Sequence, residues 1–443
     1  MKNRKLLQIV FKNTSTIDFS LPLLWYLNHK NRDLEIIILY CTTNKNEFLH
    51  NARYINNELD KLNCKQLYLL DFLPKFFQNF KFLKNSRSMN DSLFNIIYLD
   101  ENFLSKVPKY FNLFLKIVIH LVRKKLIGFL INGSNILEKI NPDIVLIDNR
   151  EKCNFPGDKE IFNSLFDKKI AKILLPHAPH YLDHDFSHVN SNPFSKVNED
   201  HKCDIWIPFL PATPWDKRPD LKSNFFYSGY PGFDTKWINY CKNYIKRNKK
   251  INVLYIGRKF LDKNVVRPKN FDFVTMDYDQ ALDDIYNIDK SFKSLNIDFT
   301  LIYKVHPSAN LSMIEKFLRE SEISSYEISF DTSYSFFNKL DLVISPYSTA
   351  VFAFAVAGIP SIILKSEIMN EAKSSWQEVS RLYENMSYYS DVNDMEKVLC
   401  KIFNENDKGM IKDMKHIRNF FPDGVLESCY ERIMFLIGDK IEK

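Results

Sequence analysis

The chain of 443 residues has few glycines and cysteines, ten and seven respectively, and neither set forms a recognisable motif. The cysteines include no CxxC pair and no metal-ligand spacing, which indicates reduced thiols in a cytoplasmic compartment. Repeats of solenoid period and long low-complexity tracts are absent, so the repeat architectures are excluded. No basic–aromatic nucleic-acid module occurs, and we expect no nucleic-acid partner.

The sequence also lacks a long uncharged apolar run. Its basic start leads into an apolar stretch too short for a signal peptide, with no cleavage site after it. The most apolar segment, residues 110–131, is interrupted by Lys116, His120 and a basic triplet around Lys124. It predicts amphipathic helices packed on a sheet; the alternative is a basic face that rests on the inner membrane surface.

Length and composition indicate a globular protein of two domains. Hydrophobic residues make up 45% of the chain and charged residues 26%, which is ordinary for such proteins. The net charge of +7 is spread along the chain. Such a charge suits an anionic substrate or a membrane surface, and it equally suits a plain solvated exterior.

Apolar strands and helices alternate in two series. The first contains "LLQIVF", "LEIIILY", "PDIVLID", "KKIAKILLP" and "CDIWIPF" as strands, and the second starts at "INVLYIG" after the turn-rich "YSGYPGFDTKW". Apolar strands separated by helices predict parallel sheets covered on both faces. We therefore predict an N-terminal Rossmann-like acceptor-side domain over 1–240, a C-terminal Rossmann-like nucleotide-donor domain over 251–420 and a terminal helix over 421–443.

Two doubly wound domains joined by a short link enclose a cleft at the carboxyl ends of their strands. The predicted fold class is thus α/β, and the arrangement resembles the GT-B class of nucleotide-sugar transferases. Strand ends that face this cleft are where we look for functional side chains.

Hydroxyl groups interrupt two buried-looking segments in "DLVISPYSTAVFAFAVAGIPSIIL". Ser348 and Thr349 follow a strand and stand at the start of a small apolar helix that ends at Gly358. The free N–H groups and the dipole of such a helix start favour an anion. We predict that Ser348 and Thr349 hold a donor phosphate; plain capping and close helix–sheet packing are the alternatives.

A second strand, "DFTLIYKVHP", ends in Lys304, Val305 and His306 before a proline that stops the ladder. An imidazole at that tip donates to a phosphate oxygen and stabilises the charge of a departing nucleotide. Lys304 is a further candidate for the donor phosphate. So is Arg258, which follows the first strand of the second domain, unless it lies in a solvated loop.

At this point the sequence resembles a known family. "YKVHP" followed by "SPYSTAVFAFAVAGIPSII" is similar to the paired motifs of the CDP-glycerol glycerophosphotransferase family, and CMP-sugar-using capsule transferases of the GT-B type share the pair. "YSGYPGFD" and "FPDGVLESCYERI" are similar to two further stretches of that family, so the resemblance covers the second half of the chain. It implies a cytidine-activated donor. Pro346, Ala353 and Gly232 depart from the family pattern, where two acids and an arginine stand.

In the first half, "LLPHAPHYLD" echoes the first histidine motif of the family, and we predict that His177 is the general base for the acceptor hydroxyl. Asp148, at the end of the "DIVLID" strand, is the rival base. The nearby histidines and aspartates need not share a helix face, so we predict no metal there.

The combined prediction is a transferase that moves a sugar or polyol-phosphate from a nucleotide-activated donor to a surface polysaccharide or lipid-linked acceptor. It needs no cofactor besides the donor, and it is cytoplasmic or peripheral at the inner membrane face. Two alternatives stay open. One is a UDP-sugar 2-epimerase-like isomerase of the same architecture, although its acidic pairs and Gly-Gly helix start are missing here. The other is a catalytically silent binding protein.

Overall fold

The structure, a computed structural model, describes the greater part of both predicted sheets and the helices that cover them. The described residues are 4–10, 15–30, 33–41, 52–72, 132–148, 161, 164–165, 170–175, 205–206, 231–243, 250–260, 275–306, 309, 311–346, 348, 350–364 and 388–404.

The first sheet has six parallel strands in the order β3-β2-β1-β4-β5-β6. These are β1 (Arg4–Val10), β2 (Leu34–Tyr40), β3 (Lys65–Tyr68), β4 (Ile144–Asp148), β5 (Ala171–Leu175) and β6 (Ile205–Trp206). Runs of Ile, Leu and Val suit strands that are covered on both faces. Strand order reverses between β1 and β4, which makes their carboxyl ends the switch point of this sheet.

The second sheet repeats this topology with its own six parallel strands, in the order β11-β10-β7-β12-β13-β14. They are β7 (Ile251–Ile256), β10 (Phe299–Lys304), β11 (Tyr326–Ser329), β12 (Leu342–Ser345), β13 (Ser361–Leu364) and β14 (Tyr388–Ser390). The short strands β8 (Lys259–Phe260) and β9 (Thr275–Met276) form a separate pair. In this sheet the order reverses between β7 and β12.

The described helices lie between these strands in the sequence, except for the last, which follows β14. They are α1 (Ser15–Lys30), α2 (Arg53–Lys61), α3 (Gly133–Ile140), α4 (Thr235–Lys242), α5 (Tyr278–Ser294), α6 (Leu311–Glu320), α7 (Ala350–Val356) and α8 (Met395–Phe403). Asn132, Asp234 and Asp277 are side-chain N-caps of α3, α4 and α5.

Asparagine occupies left-handed positions at helix ends, which fits the scarcity of glycine. Asn63 (φ 51°) follows α2 and Asn296 (φ 56°) follows α5, while Gly358 (φ 76°) follows α7. In each case the next residue's N–H donates to a carbonyl five residues back. This is the Schellman motif, in which the left-handed residue ends the helix.

One buried apolar cluster extends across both domains. A continuous buried cluster joins Leu6 and Val10 of the first sheet to Leu254 and Val343 of the second. The α4 helix lies between them: the Trp237 ring is 5.6 Å from that of Trp25 in α1 and 5.3 Å from that of Tyr334 in the second domain. The segment that links the domains is therefore part of the interface.

The predicted alternation of strands and helices is confirmed in both series. Between two strands of the second series the stretch "YSFFNKL" predicts a helix from its sequence. That prediction is wrong, because Ser333–Phe336 form a 3-10 turn capped by Thr332. The segment 110–131 and the terminal helix predicted over 421–443 lie outside the described residues. Among the helices that are described, none has the length and apolar character needed to cross a bilayer.

Candidate functional site between the carboxyl edges of the two sheets

The carboxyl edges of the two sheets face each other. The α1 and α2 helices begin beyond the carboxyl ends of β1 and β2, and their first residues contact the second domain. The Tyr54 N–H in α2 donates to Asp331 Oδ1 at 3.1 Å, just beyond β11. Asp18 in the first turn of α1 makes a hydrogen bond with Thr332 and lies in the field of Lys304. Residues from both domains thus meet where ligands bind in doubly wound sheets.

Three neighbouring strands of the second sheet bring the predicted donor-site residues to this edge. Lys304 pairs with Ile256, and the Gly257 N–H donates to the Lys304 carbonyl at 2.9 Å. On the other side of β7, Ile344 pairs with Tyr255, which puts Ser345 level with the end of β7. The loops after β10, β7 and β12 therefore leave the sheet side by side, at its switch point.

Alternation along the strands places the polar side chains on one face. Tyr303 and Val305 belong to the cluster under α5, whereas Ile302 belongs to the cluster shared with the first domain. Since neighbouring side chains in a strand point to opposite faces, Lys304 and His306 lie on the face that carries α7 and meets α1. Ile344 belongs to the cluster under α5, so its neighbour Ser345 points to the same face as Lys304.

The start of α7 follows the predicted pattern. Ser348 Oγ accepts from the Ala350 N–H at 3.4 Å, and its carbonyl accepts from the Val351 N–H at 3.2 Å. The helix then buries Val351, Phe352 and their neighbours against the sheet. Ser348 is thus located at the helix start, in line with the sequence; Thr349 lies outside the described residues. The phosphate-binding role stays a prediction.

A glycine lets β7 approach β10 closely at this edge. A Cβ on Gly257 would lie 2.2 Å from Tyr303 Cζ, far inside contact distance. The Tyr303 ring stacks on that of Tyr255 with 5.7 Å between centroids. Only glycine fits beside this aromatic pair, on the side of the sheet opposite the candidate site.

Lys304 lies between two acids rather than alone at a strand tip. Burial lowers its pKa, and Asp18 and Asp331 act in the opposite direction. Burial also raises the pKa of Asp18 to about 6, although Lys304 and the hydrogen bond with Thr332 favour its charged form. An acid, a lysine and a second acid from two domains thus act on one another electrostatically at this edge.

The remaining predicted residues are placed as follows. His306 is half-buried, and its carbonyl accepts from the Ala309 N–H at 2.9 Å. Arg258 is half-buried beyond β7, close enough to Tyr255 to act on it electrostatically. Asp148 ends β4 at the switch point of the first sheet, but its side chain lies outside the described set. His177 lies outside it altogether.

Sequence reasoning missed Asp18 and Asp331. One sequence feature could have identified Asp18: it is an acid in the first turn of the helix that follows the first strand of a doubly wound domain. Asp331 follows β11 immediately and is a similar strand-tip acid. Neither belongs to a local motif, so the pairing with Lys304 appears only when the two sheets are placed together.

No protein-family model matches the chain, and no curated protein matches it either. Solved structures do match, over nearly its whole length. A UDP-N-acetylglucosamine 2-epimerase superposes with a TM-score of 0.54 and 11% identity, with 99% of this chain and 98% of that one covered. MnaA of S. aureus in complex with UDP superposes with a TM-score of 0.53 and 11% identity, and the match covers 98% of this chain and 97% of that one. TcCGT1 in complex with UDP superposes with a TM-score of 0.52 and 11% identity, and the match covers 100% of both chains.

At this level of identity the similarity establishes the fold. Together with the repeated strand order, it confirms that the chain adopts the GT-B fold, with two Rossmann-like domains. The predicted fold class is therefore correct.

Proposed function

We propose that this protein is a GT-B transferase that moves a sugar or polyol-phosphate from a nucleotide-activated donor to a glycan or lipid-linked acceptor. One observation carries the proposal. Lys304 and Ser345 lie on one face and at one edge of the second sheet, at its switch point and opposite the first domain, and His306 and Ser348 follow them in the next loops. Such an edge is where nucleotides bind in this class of sheet.

The chemistry of these groups suits a departing nucleotide. Transfer breaks the bond between the transferred group and the nucleotide phosphate, and negative charge builds up on that phosphate. The His306 ring donates a hydrogen bond to it, and the N–H groups at the start of α7 add their dipoles. Arg258 and Lys304 contribute positive charge from the two adjoining strands.

The resemblance to CDP-glycerol glycerophosphotransferases and CMP-sugar-using transferases supports cytidine as the nucleotide. The structures with related folds bind UDP according to their descriptions, and they support a nucleotide diphosphate more broadly. In this proposal His177 or Asp148 takes the proton of the acceptor hydroxyl. The basic segment around Lys124 rests on the inner membrane surface, where a lipid-linked acceptor is found.

The test starts with thermal unfolding in the presence of CMP, CDP, UDP or GDP. A ligand that binds only the folded state raises the midpoint, so we expect the cytidine nucleotides to give the largest shift. His306→Ala should keep the unaltered midpoint without nucleotide and lose turnover by about 100-fold or more. Normal transfer by His306→Ala would remove the histidine from the mechanism, and nucleotide binding without turnover on any acceptor would favour a silent binding protein.

A second candidate is a UDP-sugar 2-epimerase-like isomerase. It is favoured by the similarity in fold to proteins described as UDP-N-acetylglucosamine 2-epimerases. The chain lacks the acidic pairs and the Gly-Gly helix start of that group. Incubation with a UDP-sugar and no acceptor separates the candidates, since only an isomerase yields the 2-epimer under those conditions.

A further inference from the structure

Asp18 and Lys304 come from facing domains and meet at the carboxyl edges of both sheets. Asp18 lies in the first turn of α1, next to the switch point of the first sheet. Lys304 ends β10, two residues before His306 and on the same face of the second sheet. Both residues are half-buried and lie at the edge where the two domains meet.

The hydrogen-bonding capacity of this pair is incompletely used. Among the described residues Asp18 Oδ1 has no hydrogen-bond partner, and the bond with Thr332 engages the carboxyl only in part. Within the described ranges no hydrogen bond to the Lys304 ammonium is found, although Asp18 and Asp331 act on it electrostatically. Buried polar atoms are nearly always paired, so one without a partner calls for an explanation, and a catalytic role is one such explanation.

The elements around this pair are held in place. Asp331 accepts the Tyr54 N–H, which ties the start of α2 to the end of β11. Thr332 Oγ1 accepts from the Tyr334 N–H and so caps the 3-10 turn that packs against α4. The Asp18 carboxyl therefore lies beside second-domain residues that these hydrogen bonds hold in place.

We propose that Asp18 is a catalytic acid–base residue of this interdomain site and that Lys304 controls its charge. The proposal rests on the proposed transferase function. In it Asp18, and not His177 or Asp148, is the base. It does not depend on which nucleotide the donor carries.

The step balances without a further reactant. The ionised Asp18 carboxylate takes the proton of the acceptor hydroxyl while the acceptor oxygen forms a bond to the transferred centre. The bond from that centre to the nucleotide phosphate oxygen breaks, and its electron pair leaves with the phosphate beside His306. Asp18 then releases the proton to water, which restores the carboxylate.

The electrostatics agree with this role. A pKa of about 6 leaves Asp18 ionised near neutral pH and still basic enough to accept a proton. Among the described residues, the charged groups that act on it are Lys304, which lowers its pKa, and Asp331, which raises it. Activity should therefore fall as the pH drops through about 6, because a protonated carboxyl cannot act as base.

The experiment compares kcat/KM against pH for the wild type, Asp18→Asn, Asp18→Glu and Lys304→Met. Asp18→Asn should lose 100-fold or more in turnover and keep the nucleotide-induced thermal shift. Its profile should also lack the acid limb, which is the fall in kcat/KM as the pH drops through about 6. Asp18→Glu should recover part of the rate with an acid limb restored. Lys304→Met should move the acid limb to higher pH, since the charge that favours the ionised carboxylate is gone.

Asp284→Asn is the matched control. Burial raises the pKa of Asp284 to about 6 as well, but this residue lies on α5, which covers the other face of the second sheet. It should keep wild-type activity and the wild-type acid limb. Loss of rate in both aspartate variants would show a general effect of removing a buried charge and would overturn the proposal.

The remaining outcomes are also distinct. If the wild type is active and Asp18→Asn is as active within about threefold, the assignment of Asp18 is wrong while the proposed function stands. If the wild type turns over no donor on any acceptor, the proposed function fails and takes this assignment with it. If the acid limb of Lys304→Met lies at the same pH as that of the wild type, Lys304 does not control the charge of Asp18.

Discussion

At the scale of single residues, the hydroxyls of Tyr255 and Tyr303 in the second domain are buried. Each is shut off from solvent and has no hydrogen-bond partner within the part of the chain that the structure describes. A buried hydroxyl without a partner costs free energy, because it leaves water and gains nothing in return. The rings themselves are needed, since Tyr303 lies against Gly257 and stacks on Tyr255.

We therefore expect that Tyr303→Phe keeps or increases the free energy of unfolding, by up to about 1 kcal/mol. The measurement is urea unfolding followed by circular dichroism. Tyr240→Phe is the matched control, because the Tyr240 hydroxyl donates to the buried Glu58 Oε2 at 2.7 Å. That variant should lose about 1–2 kcal/mol, since it leaves a buried carboxylate short of a donor. Equal losses in both variants would contradict the idea that the Tyr303 hydroxyl is unpaired.

At the scale of elements, helix ends depend on a few residues with positive φ. After α5 the Asn296 φ is 56°, and the Ile297 N–H donates to the Phe292 carbonyl at 3.0 Å. Ile297 packs on the core of the second domain, so this Schellman motif also aims the chain into β10. An asparagine side chain tolerates the left-handed region better than most others do.

Asn296→Ala should destabilise the protein by about 1 kcal/mol, because alanine has no means of relieving the strain of a left-handed backbone. Asn296→Gly should be neutral or slightly stabilising, as glycine adopts this conformation freely. Asn296 is exposed, so neither change disturbs packing. Thermal unfolding of the two variants side by side gives the answer, and a larger loss for glycine than for alanine would show that the asparagine side chain itself matters.

At the scale of the whole molecule, the shared core predicts that the two domains unfold together. Trp237 is fully buried between aromatic rings of the first and second domains. Differential scanning calorimetry of the wild type should show one transition, with equal calorimetric and van't Hoff enthalpies. Two well-separated transitions in the wild type would mean that the interface contributes little.

Trp237→Ala removes the ring that joins the domains and should cost about 3–5 kcal/mol. We expect its calorimetric trace to split or broaden, because each sheet then relies on its own core. Phe292→Ala provides a comparison, as Phe292 is equally buried but lies in the core of the second domain alone. A trace of Trp237→Ala that shifts without broadening would argue against coupling through α4.

The parts of the site that depend on local pattern could be predicted from the sequence. The apolar run before His306 and the proline after it indicate a strand tip, and Ser348 and Gly358 mark the two ends of α7. The structure places those residues accordingly. The role of each at a phosphate stays a prediction, and so does that of His177 and Thr349, which lie outside the described residues.

The amino-acid sequence by itself determined the α/β class, the two series of strands and the residues at individual strand tips, because backbone preference and side-chain periodicity act over a few neighbours. Only the tertiary structure decided that both sheets share one strand order, that α4 joins their cores and that Asp18 meets Lys304. Those contacts join residues from opposite domains, and they form when apolar surfaces of both sheets leave water together. A pattern of a few neighbouring residues carries no information about such contacts between domains.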